Sequence, residues 1–397
     1  MSLLVAALFA TCLSATEVSA ATPKPGAKCV YFGQSVTTSN KKFRCVMVGN
    51  KLVWNKGAVM STFTPLAPRI AIPITFDNLL SRADEIPGVA YANVQDVIAT
   101  NQTLKAPSRT FKFSIAPGLT SDPAFYEAFI NKERIFFAHV YQPESYIGIL
   151  YSAKDMDWAR TKFDELTGFQ NRDYVVRAPF GGDPNSTGGG ANSSVNMKVG
   201  FTVFGHYSGY ESDPFVTNGS MTAHEYVHQV QATQFSAPYG DQSSANSSMP
   251  CWMTEGQANF NGISVVAKDL NEYLQVRSIQ AHSLTLRNAQ ATGQMTQLNK
   301  FQLTPDYILS YYQAMNQAGE NRCISSSQYG LGYSLGMLTI EALSAIKGSE
   351  SSMALVQKLA NGRTFDEAFF DIYGARWSDA STTLAKLVSG ELQSILS

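Results

Sequence analysis

The chain has 397 residues, 44% of them apolar and 15% charged, with 30 Lys+Arg against 31 Asp+Glu. That length suits two or three packed units, and the mixed composition excludes a disordered acidic or basic chain. A net charge of -1 argues against a nucleic-acid binder, which needs a strong cationic surplus on some face.

Residues 3–15 (LLVAALFATCLSA) form a short apolar core, and Val18-Ser19-Ala20 supplies the small residues that precede a signal-peptidase cut. The expectation is a signal peptide over 1–20 and an exported, extracellular protein. No later apolar run reaches the ~18 residues of a membrane helix, so no transmembrane segment is expected after signal removal. The mature chain is then neutral, but residues 21–57 carry seven Lys/Arg and no acid. Four cysteines remain: Cys29, Cys45, Cys251 and Cys323. The economical pairing in an oxidising compartment is Cys29 with Cys45 and, by elimination, Cys251 with Cys323.

The first segment reads as short strands at 30–32, 43–48 and 51–54, with Gly49-Asn50 as a tight turn. It resembles small Cys-pair modules near the N-termini of secreted Gram-positive bacterial proteins. Its charge suits attraction to an anionic cell-wall polymer, against the alternative of a solvated cap. A Pro-containing linker follows over 58–74. Residues 77–99 read as helices, 111–115 as an alternating strand, 123–140 as a long helix with a Phe/Tyr face, and 146–151 (YIGILY) as a buried strand followed by a helix through Trp158. Glycines 188–190 read as a loop and 196–204 as a strand. Beyond residue 220 the pattern is helical, at 221–234, 253–267, 271–291, 304–317, 329–346 and 379–396. The fold class is therefore α+β, with a mixed α/β half over 75–219 and a helical half over 220–397.

Residues 224–228 read His-Glu-Tyr-Val-His. Imidazoles at i and i+4 lie one turn apart on one helix face, so His224 and His228 can grip one zinc ion. Glu225 is offset by roughly 100° around the helix, which lets its carboxylate reach water at the metal as a general base. A catalytic zinc site usually has a third protein ligand. The metzincin continuation fails, because Gln231 and Gln234 stand where it needs Gly and His. Asp241 and Glu211 are reachable acids without an obvious supporting helix. Glu255 is the better candidate, in Trp252-Met253-Thr254-Glu255-Gly256-Gln257-Ala258.

A W-x-x-E-G-x-A helix downstream of H-E-x-x-H resembles the ligand-bearing segment of the gluzincin metallopeptidases, the thermolysin-like and aminopeptidase-like superfamily. The resemblance implies Glu255 as third ligand and Asn259 as the residue orienting His224. It also implies that the 196–204 strand is the edge of the substrate cleft, where a peptide is held in extended form. In Tyr329-Gly-Leu-Gly-Tyr333-Ser-Leu-Gly336 it implies an oxyanion-stabilising tyrosine, with Tyr333 favoured over Tyr329. His206 and His282 are other candidates for that role, and His139 reads as a packed histidine. The aminopeptidase G-A-M-E-N signature is missing, which makes endopeptidase action the default. The function implied is a secreted zinc metallopeptidase with one catalytic Zn2+ and a peptide or protein substrate. The alternative is a non-catalytic cell-surface binding protein on a peptidase-like scaffold.

Overall fold

The computed structural model describes residues 23–31, 34–38, 41–48, 51–55, 58–59, 63–104, 110–168, 176–177, 188–192, 199–206, 214–236, 240–291, 302–316 and 329–396. The expected signal peptide, the Gly49-Asn50 turn, Glu211 and Cys323 lie outside them. Contacts divide the chain into two units, one ending at Gly57 and one running from Ala58 to Ser397.

In the first unit β1 (Ser35–Thr38), β2 (Lys41–Val48) and β3 (Lys51–Trp54) pair antiparallel. Val48 pairs with Lys51, the register of a two-residue hairpin connection. Phe43 and Trp54 pack around a Cys29–Cys45 disulfide, which in so small a unit substitutes for a larger core. The strand expected at 30–32 does not form at Val30 and Tyr31, which lie in a bend and are 80% and 62% exposed. Gln34 causes this. Its backbone N–H donates to the Tyr31 carbonyl at 3.2 Å and its side-chain oxygen accepts from the Val30 N–H at 3.1 Å. The turn they close delays the first strand to Ser35.

The second unit is mixed α+β. Residues of the expected linker run along its core, with Phe63, Leu66 and Ile70 packed on it and Ile74 fully buried. Strands β4 (Thr110–Ile115), β5 (Ser145–Ser152), β6 (Gly188–Asn192) and β7 (Gly200–His206) form one sheet in the order β4-β5-β7-β6. The first three are parallel and β6 is antiparallel to β7. Helix α1 (Ile86–Asn101) precedes the sheet, while α2 (Pro123–Phe136) and α3 (Met156–Thr167) follow β4 and β5. Alternate residues of β5 serve opposite faces. Ile147, Ile149 and Tyr151 pack with Phe163 of α3, whereas Leu150 joins Phe113 and Tyr126 of α2. Burial on both faces is why 146–151 is a continuous apolar run.

Two expectations about this sheet are corrected. Glycines 188–190, read as a loop, belong to β6, and among the described residues the outer position falls to this strand, not to the 196–204 segment. That segment forms β7 from Gly200, flanked by β5 and β6. Glycine carries no side-chain alternation, so pairing with 203–205 is what makes this segment a strand.

The remainder is helical: α4 (Ser220–Phe235), α5 (Gln242–Ser248), α6 (Cys251–Ser264), α7 (Leu270–Ala291), α8 (Pro305–Met315), α9 (Tyr329–Lys347), α10 (Ser351–Ala360), α11 (Phe365–Tyr373) and α12 (Trp377–Ile395). The apolar pattern does not announce α5, α10 and α11. Polar α5 starts at Asp241, whose carboxylate accepts from the Ser244 N–H at 3.1 Å and hydroxyl at 2.6 Å. A Thr364/Glu367 capping box starts α11. Helix α6 lies at the centre, in contact with α4 on one side and α9 on another. Among the described residues no helix is long and apolar enough to cross a membrane.

Candidate metal centre

Every residue of α4 from Thr222 to Phe235 is buried, as expected of a helix enclosed on all sides. The i,i+4 spacing brings the Nε2 atoms of His224 and His228 to 3.1 Å. Glu255 arrives from α6, with Oε2 3.2 Å from His228 Nε2 and 3.5 Å from His224 Nε2. The three side chains are buried and form a group that could hold a metal ion. Gly262 permits this approach of α6 to α4, since a Cβ there would lie 2.8 Å from the His224 backbone nitrogen.

The far side of each imidazole sets its tautomer. His224 Nδ1 is 2.7 Å from Asn259 Oδ1, and His228 Nδ1 is 2.9 Å from Gln231 Oε1. Both amides are oriented by their other ends, Asn259 Nδ2 donating to the Tyr333 carbonyl and Gln231 Nε2 to the Thr254 carbonyl and Gln257 Oε1. An amide oxygen only accepts, so each Nδ1 carries the proton and each Nε2 turns a lone pair toward its neighbour.

Two lone pairs and a carboxylate so close together repel unless a cation lies among them. A proton can serve: burial disfavours the His228 imidazolium, yet Glu255 outweighs it and raises that pKa to about 9. Burial likewise opposes ionisation of Glu255, but His228 and His224 hold its carboxyl well below the usual range. The donor set fits a metal ion too. Its edges of 3.1, 3.2 and 3.5 Å match the ~3.4 Å edge of a tetrahedron with ~2.1 Å bonds, and two imidazoles with one carboxylate are zinc-type donors.

Glu225 is buried one residue from His224, and its charge falls on His228 and on Tyr146. Burial, then Glu225, push the Tyr146 phenol well above its ordinary pKa. Tyr333 stacks on the His224 ring at 5.6 Å between centroids and 8° between planes. The side chains of Tyr329 and His206 lie outside the described residues. His282 is exposed on α7, Asp241 caps α5, and neither joins the cluster. His139 is half-exposed and paired with Glu350 at 3.4 Å, in place of the packed histidine expected. Cys251 is disulfide-bonded; its expected partner Cys323 is outside the described residues.

The sequence reading passed over Gln257, and used Gln231 only to exclude the metzincin pattern. The available signal was its position three residues after His228, which places it on the same helix face. Compared with family models, curated proteins and solved structures, the chain matches none.

Proposed function

We propose that this chain is a secreted zinc metallopeptidase of the gluzincin type, acting as an endopeptidase. The observation that carries the reading is the convergence of His224, His228 and Glu255, with both imidazoles backed by amide oxygens and Glu225 on the next residue of the same helix. Zinc held by these three side chains would supply Lewis acidity toward the scissile carbonyl and lower the pKa of water. The Glu225 carboxylate takes the proton of the attacking water and passes it to the leaving amide nitrogen. Tyr333, stacked against His224, donates its phenol proton in a hydrogen bond to the developing oxyanion. Backbone groups of β6, the outermost described strand on its side of the sheet, hold the substrate in extended form. The Cys29–Cys45 disulfide supports export to an oxidising compartment, and the basic first unit suits an anionic wall polymer.

Metal analysis and peptide-library cleavage test the reading. Purified protein should carry about one zinc per chain, and His228→Ala should lose it. Glu225→Gln should retain the metal and lose about 10²–10⁴-fold in turnover. A Glu225→Gln protein as active as the parent would sink the mechanism.

A further inference from the structure

We infer that Gln231 and Gln257 are positioning residues of the metal centre: a buried amide relay, anchored on Ser352, that fixes the tautomer of His228 and the placement of Glu255 together. The inference rests on reading the His224/His228/Glu255 cluster as a metal site.

Gln231 and Gln257 are fully buried and Ser352 is 1% exposed. Gln231 Oε1 accepts from His228 Nδ1–H at 2.9 Å. The two protons on its Nε2 go to the Thr254 carbonyl and to Gln257 Oε1, each at 2.9 Å. The amide therefore has one allowed orientation. Reversed, its oxygen would face the Thr254 carbonyl, two acceptors with no proton between them. Gln257 is placed in turn by the 2.8 Å hydrogen bond from its Nε2 to Ser352 Oγ. A hydroxyl can donate or accept, so the polarity is set by the Thr254 carbonyl, which only accepts, while Ser352 on α10 holds the Gln257 amide against Gln231.

The same relay touches the carboxylate ligand. Thr254 immediately precedes Glu255, so one side chain of α4 holds both His228 of its own helix and the peptide that leads into the ligand of α6. His224 is supported separately, through Asn259 to the Tyr333 carbonyl on α9. The two histidines thereby answer to different helices, and loss of the Ser352 side should disturb His228 and Glu255 while leaving His224 in place.

Titration of the metal-free, full-length mature protein with Co2+ and Zn2+ against a competing chelator tests this, with the Co2+ absorption spectrum as a second readout. Gln257→Leu removes one of the two acceptors that hold Gln231 and should weaken both ions about 10–100-fold, with an altered Co2+ spectrum. Gln257→Glu keeps an acceptor for Gln231 Nε2 and a second oxygen that accepts from the Ser352 hydroxyl, and should restore affinity and spectrum to near those of the parent. A role in stability alone would instead make affinity follow the melting temperature measured in chelator. Should Gln257→Leu not fold, Ser352→Ala removes only the anchor and should change affinity and spectrum in the same direction. Parental affinity and spectrum in Gln257→Leu, or equal losses in Gln257→Leu and Gln257→Glu, would overturn the relay alone. A parent chain that binds neither ion would overturn the metal reading and the relay with it.

Discussion

Gly336→Ala is the most direct probe of how the helix crossing holds the His224/His228/Glu255 cluster. Helices α6 and α9 meet backbone to backbone at Gly256 and Gly336. A Cβ on Gly336 would lie 2.9 Å from both Gly256 Cα and Trp252 C, and nearer still to the Trp252 carbonyl oxygen. From the other side, a Cβ on Gly256 would stand 2.5 Å from the Gly336 carbonyl oxygen. Ordinary contact is ~3.5 Å, so one added methyl drives the helices apart by about 1 Å, and no flexible side chain can absorb the shift. In an exposed helix interior Gly→Ala gains ~1 kcal/mol, whereas overpacking costs about 1–3 kcal/mol or more. Tight backbone contact puts Gly336→Ala at the upper end, a net loss of about 2 kcal/mol. Glu255 adjoins Gly256, and a metal site tolerates only about ±0.2 Å in its ligand distances, so Co2+ affinity should also fall at least ~10-fold. Urea denaturation in chelator measures the first effect and chelator competition the second. Gly390→Ala is the control: it lies in α12 with nothing within 4 Å of the added Cβ, and should gain a few tenths to ~1 kcal/mol without touching the metal. Equal stability in the two variants would refute the close-crossing argument.

Arg277 is buried and donates to both oxygens of Glu341, at 2.7 to 3.0 Å, and to Glu391 at 2.8 Å, while the Tyr273 hydroxyl also bonds Glu341. Arg277→Met should cost ~3–5 kcal/mol in urea denaturation by stranding the Glu341 charge, and adding Glu341→Gln should recover part of it. Glu133 is fully buried with both carboxylate oxygens unbonded, and burial raises its pKa well above the ordinary value. Its folded pKa exceeds the unfolded one, so its contribution is complete below the unfolded value and is lost as pH rises toward the folded one, at ~1.4 kcal/mol per pH unit. The stability of Glu133→Gln relative to the parent should therefore increase with pH across that interval; a pH-independent difference would contradict the assignment. Reducing the Cys29–Cys45 bond, which spans 16 residues, should remove about 3 kcal/mol from the first unit, read by its loss of strand signal. The mature protein should bind isolated cell walls at low salt and elute as screening shortens to ~3 Å near 1 M, while a chain starting at Ala58 should stay unbound yet still cleave peptides.

Much of the candidate metal centre was legible in the residues because its central part is local. The backbone geometry of a helix alone puts His224 and His228 on one face, and turn chemistry alone predicts a hairpin around Gly49-Asn50. Alternation likewise marked 111–115, and a short continuous apolar run marked 146–151, since both patterns lie in adjacent residues. Glu255 is different: 26 residues separate it from His228, and only the crossing of α4 and α6 at Gly262 brings its carboxylate to the imidazoles. The strand at 188–192 has no pattern to read, because glycine exposes none, and it exists through pairing with β7. The bend at Val30 and Tyr31 arises from hydrogen bonds of Gln34, which override an apolar run suited to a strand. Gln231, Gln257 and Ser352 come from three helices, and no spacing within any one of them reveals their hydrogen bonds. Local periodicity follows from the geometry of adjacent residues; the place of Glu255 beside the histidines, the outer described strand and the amide hydrogen bonds follow from which buried surfaces meet, which only the packed chain decides.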